Sequence, residues 1–190
     1  MWMAQREAEG TPGPSDEALF LSYKEGDEAA FDLLFERYRG PMTSYAWRMV
    51  RRREEAEEVC LEAFCRVLEG AWRPGGSLRS FLFTVVHRLC IDRLRKRRRL
   101  LPLFPWTPRP AASSVAPDQA LEADQRTRKV EAALGRLPEK HRAVLLLYYR
   151  QELSSREVAE VLGCEDQQVR SRLSYARKLL RAQLDEEVWP

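Results

Sequence analysis

The chain has 190 residues, of which 44% are hydrophobic and 32% are charged, so it can bury the core of one medium domain or two small ones under a strongly charged surface. The net charge of +3 is too small to select a partner by itself. No apolar run approaches the ~20 residues that cross a bilayer, and the first residues lack the apolar segment of a signal peptide. We therefore expect a cytoplasmic protein without membrane insertion.

Apolar residues recur at helical spacing along most of the chain, and no stretch shows convincing strand alternation, so we predict an all-α protein. Residues 1–15 are expected to form a disordered tail, and residues 16–99 a first helical domain. Within that domain the Gly40-Pro41 pair is predicted to interrupt a helix. A later helix is predicted to begin at about Leu78 and to continue into a basic run.

The charges of this first domain are segregated along the sequence. Residues 93–99, RLRKRRR, hold six basic residues in seven, whereas residues 54–62 hold five glutamates. Such separation predicts two partners of opposite charge.

The four cysteines, Cys60, Cys65, Cys90 and Cys164, include no CxxC pair, and the chain has only two histidines. This pattern argues against a zinc site, and we expect neither a metal nor a cofactor. We interpret all four cysteines as small apolar core residues of a protein from a reducing compartment.

Residues 100–120 are predicted to form an extended, proline-rich linker, because five prolines fall between Leu100 and Pro117 without a helical stripe. Helical patterning returns from about Leu121, which begins a second domain, residues 121–190. There Ser154 and Glu157 have the spacing of a capping box, and Gly163 is placed to end the helix that they begin.

The helix after Gly163 has an apolar stripe and an opposite basic face. Its stripe is Val169, Leu173, Ala176 and Leu180. Two helices joined by a glycine corner, the second with outward arginine, serine and glutamine, predict a helix-turn-helix that enters the major groove of DNA. An ordinary helical hairpin with a solvated basic face is the alternative.

Longer segments resemble the sigma factors of bacterial RNA polymerase. The segment RLPEKHRAVLLLYYRQELSSREVAEVLGCEDQQVRSRLSYARKLLRAQL is similar to their region 4, which binds the −35 element. The segments GDEAAFDLLFERYR, EEAEEVCLEAFCRVL and SLRSFLFTVVHRLCIDRLRKRRR are similar to region 2, which binds core polymerase and opens the −10 element. Their order, with only a short linker between them, resembles the extracytoplasmic-function (ECF) type.

The resemblance implies three sets of site residues. Those expected to contact double-stranded −35 DNA are Gln168, Arg170, Ser171, Arg172, Ser174, Tyr175 and Arg177. Those expected to bind or melt the −10 DNA, which becomes single-stranded, are Trp72, Arg73, Ser77, Arg79, Ser80, Phe81, Arg88, Arg93, Arg95 and Lys96. Those expected to bind core RNA polymerase are Glu57, Glu58, Leu61 and Glu62. An anti-sigma factor is the further partner that the resemblance implies.

Each set also has a plainer interpretation. The acidic residues can be a solvated helix face, since exposed charges contribute little to stability, and Phe81 can be a core residue. The whole chain can be a stand-alone helix-turn-helix regulator that binds duplex DNA without polymerase. An enzyme is disfavoured, because the carboxylates lie along helix faces and no glycine-rich phosphate loop occurs.

Overall fold

The structure, a computed structural model, describes residues 13–73, 75–100 and 121–184. Residues 1–12 of the predicted tail 1–15 and residues 101–120 of the predicted linker 100–120 lie outside the described residues. The first half contains α1 (Asp16–Lys24), α2 (Glu28–Val50), α3 (Arg53–Arg66) and α4 (Leu78–Leu100). The second half contains α5 (Leu121–Arg136), α6 (Glu139–Leu145), α7 (Ser155–Leu162) and α8 (Asp166–Arg181).

The all-α prediction is confirmed for the described ranges, which contain no strand. Two π-helical turns, Val67–Ala71 and Leu146–Arg150, continue α3 and α6. None of the helices in the part of the chain that the structure describes is both long enough and apolar enough to span a bilayer.

Helix α2 runs through Pro41 without a break, so the predicted interruption at Gly40-Pro41 is wrong. A proline inside a helix removes one backbone hydrogen bond. Here the loss is offset by packing, because the next two turns place Met42, Tyr45 and Met49 at full burial in the core. Burial of side chains of this size contributes about 1.5–3 kcal/mol each, which is comparable to the cost of the proline.

The core of the first half is formed where α2 packs against α3 and α4. Tyr45 meets the fully buried Phe83 of α4 edge to face, with ring centroids 5.9 Å apart. The ring centroids of Phe35 in α2 and Phe64 in α3 are 5.0 Å apart. These contacts fix the three helices against one another and so set which faces of α3 and α4 remain outside.

The interpretation of the cysteines holds for two of the four. Cys60 and Cys90 are buried, whereas Cys65 is exposed and Cys164 is only partly covered. Cys65 lies five residues after Cys60 on α3, which turns it away from the core.

The helix-turn-helix forms as its local sequence predicts. Ser154 and Glu157 make a capping box at the start of α7, and Gly163 ends that helix at φ +61°. A glycine adopts this left-handed conformation without the steric cost that a Cβ would add. The stripe from Val169 to Leu180 is buried against α6 and α7.

The two halves pack together, with α7 against α4 and α6 against α2. Arg48 of α2 forms an ion pair with Glu131 of α5 at 2.6 Å, and Arg98 of α4 forms one with Glu139 of α6 at 2.8 Å. Arg142 of α6 is buried, and desolvation lowers the pKa of its guanidinium. Charged and polar contacts of this kind are typical of domain interfaces that can open.

Candidate functional site

Helix α8 presents an exposed polar face opposite its buried stripe. Within it Arg170 forms an i,i+4 ion pair with Asp166 at 2.5 Å, and Arg172 is half-buried, with its guanidinium 3.6 Å from the sulphur of Cys164. The other predicted −35 residues on this face are exposed, namely Gln168, Ser171, Ser174, Tyr175 and Arg177. A solvent-facing row of arginine, serine and glutamine on one helix has the donors and acceptors that base edges and phosphates require.

Two further residues support this face and were not predicted from the sequence. The ring of His141 lies 5.0 Å from Tyr175, and the guanidinium of Arg177 lies over the ring of Tyr149 at 6.0 Å. Both aromatic partners belong to α6 and its π-helical turn, about 30 residues away in sequence. Sequence periodicity carries no signal for such a contact, because it depends on how two helices pack.

The four predicted polymerase-binding residues share one side of α3. Glu57, Glu58, Leu61 and Glu62 are spaced so that they lie on one helical face, and each is at least partly exposed. Leu61 is an exposed apolar side chain among the carboxylates. Glu57 forms an i,i+4 pair with Arg53 at 3.1 Å, in which both side chains are exposed. The face offers three acidic side chains around one apolar contact.

Arg88 and the cations of the basic run are distributed over different faces of α4. Arg88, Arg95 and Lys96 point to solvent on one face. Arg93 and Arg97 point toward α3, where Arg97 pairs with Glu55 at 3.1 Å. Arg97 also donates to the backbone carbonyl of Val50, the last residue of α2, at 2.9 Å. The outer face is therefore the part of the run that has cations available to a polyanion.

The segment before α4 is held by the body of the first half. The carboxylate of Glu17 in α1 accepts a hydrogen bond from the backbone N–H of Leu78 at 3.0 Å. The hydroxyl of Ser77 accepts a hydrogen bond from the backbone N–H of Ser80 at 3.2 Å. Arg79 donates to the backbone carbonyl of Gln151 in the second half. Ser77 and Phe81 are half-buried and Arg73 is exposed, so these residues line an accessible edge.

Two predicted −10 residues do not lie on that edge. Trp72 is only 5% exposed, and its ring meets that of Phe20 edge to face, with centroids 5.1 Å apart. Ser80 is 4% exposed. The expectation that these side chains are available to a base therefore does not hold in this structure, because both are packed into the core beneath the segment.

A polar pair of the buried Tyr45 and the partly buried His87 lies on the core side of α4. The hydroxyl of Tyr45 is 2.8 Å from Nδ1 of His87. Burial, reinforced by the neighbouring Arg88, lowers the pKa of His87 to about 4, so its ring is neutral at pH 7. Burial also raises the pKa of the Tyr45 hydroxyl. Both groups are uncharged inside the bundle, and the positive charge of Arg88 lies outside it.

Comparisons with known proteins agree with these features. The protein-family model for Sigma-70 region 2 matches residues 34–100, and that for Sigma-70, region 4 matches residues 127–180. The ECF RNA polymerase sigma factor SigM of Mycobacterium tuberculosis is 32% identical over 168 residues, which are 87% of this chain and 83% of that protein. The ECF RNA polymerase sigma factor SigW of Bacillus subtilis is 27% identical over 172 residues, which are 85% of this chain and 92% of that protein.

Two solved structures share the fold. CnrH, in complex with the cytosolic domain of CnrY, superimposes with a TM-score of 0.69 at 23% identity, over 91% of this chain and 99% of that chain. The sigma factor RpoE of Bartonella quintana, in complex with the anti-sigma factor NepR, gives a TM-score of 0.68 at 21% identity, over 80% of this chain and 95% of that chain. The two matched regions and the level of identity to SigM establish that this chain belongs to the ECF sigma factors of bacterial RNA polymerase, which recognise promoters and initiate transcription.

Proposed function

We propose that α8 reads the −35 element, that the outer face of α4 and the segment before it hold the −10 DNA, and that the acidic face of α3 binds core polymerase. The observation that carries this assignment is the separation of opposite charges on two neighbouring helices. The carboxylates of Glu57 and Glu58 lie on α3, whereas Arg88, Arg95 and Lys96 point outward from α4. A protein that holds polymerase and promoter together needs both kinds of surface.

For the −35 element, Gln168 and Arg170 near the start of α8 are the residues proposed to read base edges, with Ser171, Ser174 and Tyr175 beside them. Arg172 and Arg177 are proposed to contact phosphates, which orient the helix without reading sequence. Arg170→Ala should weaken transcription from promoters with the matching −35 sequence by about 1–3 kcal/mol if it makes a good bidentate base contact. An equal loss on every −35 sequence would assign Arg170 to the phosphates instead.

For the −10 element, Arg73, Ser77, Arg79 and Phe81 are proposed to hold an unstacked base, while the outer cations of α4 follow the backbone of the separated strand. Trp72 and Ser80 would then act from beneath as packing for this edge. Arg79 donates to the carbonyl of Gln151, so this contact must be released before Arg79 can reach DNA.

For polymerase, the acidic face of α3 would meet a basic surface, with Leu61 as the apolar contact between the carboxylates. Charge reversal of both Glu57 and Glu58 to lysine should abolish core binding while leaving the fold intact, because both side chains are exposed. A matched control is Glu36→Lys, which changes a glutamate of α2 that is likewise more than half exposed. Unchanged affinity for core polymerase in the double variant would remove α3 from the interface.

The chain is proposed to act in the cytoplasm as a non-enzymatic factor and to be inhibited by an anti-sigma partner. The support is that the solved relatives CnrH and RpoE were each captured with a partner protein, in one case an anti-sigma factor. Affinity purification of the full chain from its host should recover such a partner. Full activity in cells without any recovered partner would contradict this part of the proposal.

Run-off transcription is the direct test of the function as a whole. Purified core polymerase is given fragments of the host genome with and without the protein, and new discrete start sites are expected only when the protein is added. Aligning the sequences upstream of those starts yields the −35 and −10 elements. Tight binding of duplex DNA by the protein alone, without new starts, would instead favour a stand-alone helix-turn-helix regulator.

A further inference from the structure

Arg93 of α4 lies on the inner side of the basic run and binds the acidic helix. Its guanidinium donates to Oε2 of Glu58 at 2.6 Å and to Oε2 of Glu62 at 3.1 Å. Its side chain is 29% exposed, compared with 67% for Arg95 two residues later. The hydrogen bonds to both glutamates raise the pKa of Arg93, so this cation is permanently charged.

The two carboxylates that Arg93 joins are one helical turn apart on α3, and both belong to the predicted polymerase-binding set. Arg93 engages one oxygen of each, and a carboxylate can accept further donors at its other lone pairs. Glu62 shows this directly, because its Oε1 also accepts from Arg66 at 2.6 Å. Glu58 is mostly exposed despite its bond to Arg93, so it remains accessible to a partner.

We propose that Arg93 is a positioning residue of the polymerase-binding surface, which holds the carboxylates of Glu58 and Glu62 in the orientation that polymerase binds, and that it is not a contact to DNA phosphate. The inference depends on the proposed role of the acidic face of α3. Long glutamate side chains lose rotamer freedom when a partner immobilises them, and a surface that is already ordered loses less on binding. The planar guanidinium can hold two carboxylates at once in a fixed geometry, which a lysine ammonium cannot reproduce.

The charge of Arg93 and its geometry have opposite expected effects on polymerase binding. A cation beside two carboxylates reduces their attraction for a basic partner, so Arg93→Gln both disorders the carboxylates and makes the face more acidic. Arg93→Lys keeps the charge and removes only the planar fork. The lysine variant therefore isolates positioning, and Arg95→Lys is the matched control on the outer face.

The experiment measures the affinity of the full-length protein for core polymerase without DNA, and the salt dependence of promoter binding by the assembled holoenzyme. Arg93→Lys should weaken core binding about 3- to 10-fold, by loss of ordering at two side chains. Arg95→Lys should leave core binding unchanged. The salt slope is the steepness with which the logarithm of the promoter-binding constant falls with the logarithm of salt concentration. Arg95→Gln should lower this slope by about 1, whereas Arg93→Gln should not change it.

A double-mutant cycle separates positioning from a general effect on folding. When Glu58→Gln and Glu62→Gln are already present, adding Arg93→Lys should weaken core binding no further, because there is no carboxylate left to position. A further loss of the same size would show that Arg93 acts on the fold rather than through these carboxylates, and would overturn the inference.

The same variants distinguish this inference from the proposed function. If Glu58→Gln with Glu62→Gln leaves core binding unchanged, the acidic face is not the docking surface and the proposed function fails at that point. If that pair weakens binding but Arg93→Lys binds core as tightly as the natural protein, only the inference fails. A salt slope lowered by about 1 in Arg93→Gln would likewise return Arg93 to the DNA-binding set.

Discussion

The ion pair between Arg48 and Glu131 offers a quantitative test of how the two halves are held together. Arg48 lies on α2 and Glu131 on α5, their side chains are 10% and 19% exposed, and the shortest N–O distance between them is 2.6 Å. Nε of Arg48 also donates to the same carboxylate at 2.8 Å. The perturbation is Glu131→Gln, which removes the negative charge and preserves the size of the side chain.

The expected cost follows from the burial of the pair. Removing one partner of a buried ion pair typically costs about 3–5 kcal/mol, and a hydrogen bond to a charged group contributes about 1.5–3 kcal/mol. Glutamine keeps one acceptor for Arg48, which also donates to the backbone carbonyl of Ser44 at 3.2 Å. We therefore expect a loss of about 1.5–3 kcal/mol, or roughly a 10- to 150-fold shift toward separation of α5 from α2.

Native-state hydrogen exchange measures this shift. The amides of α5 should exchange roughly 10- to 150-fold faster in Glu131→Gln, while those of α3 should be unchanged. Glu36→Gln is the control, since its pair with Arg39 spans 3.6 Å and both side chains are more than half exposed. Such an exposed pair should contribute no more than about 0.5 kcal/mol to stability. Unchanged exchange in α5 of Glu131→Gln would refute the view that this ion pair holds the halves together.

Three other predictions follow from buried or capping groups. Ser154→Ala removes the capping box of α7 and should lower the free energy of unfolding by about 1 kcal/mol in urea titrations, whereas Ser154→Asp should keep most of it. His87 has a pKa of about 4 in the folded protein and about 6.5 in the unfolded chain. Below pH 6.5 the unfolded chain therefore binds more protons than the folded protein. Stability should therefore fall as the pH drops from 6.5 to 4, and His87→Gln should flatten that part of the profile; an unchanged profile would contradict the burial of this ring. Thiol labelling of the native protein should be fast at the exposed Cys65 and very slow at Cys90, where burial raises the thiol pKa to about 12; comparable rates would show that α4 is not packed as described.

Local sequence predicted much of the fold because many helix boundaries depend on a few neighbouring residues. The capping box at Ser154, the left-handed Gly163 and the start of α4 at Leu78 all formed where expected. The helical period of Val169, Leu173, Ala176 and Leu180 likewise predicted the buried side of α8. These features involve contacts within one or two turns, which the sequence displays directly.

Other features depended on contacts between distant segments. Pro41 was expected to interrupt a helix, but the packing of α2 against α3 and α4 keeps that helix continuous. Trp72 has an aromatic side chain of the kind that stacks on bases. Its ring instead contacts Phe20, 52 positions earlier in the chain, and lies in the core. Neither outcome is visible in a local window, because each is determined by residues far away in the chain.

The sequence by itself determined the all-α class, the helix-turn-helix and the separation of acidic from basic segments, because periodicity, capping and charge are local properties. Only the tertiary structure decided which cations of the basic run are available. Arg93 and Arg97 are engaged by the carboxylates of α3, whereas Arg95 and Lys96 face solvent. The physical reason is that α4 packs one face against α3, and that packing pairs some charges of the run with carboxylates of α3 and leaves others on the solvent side of the helix.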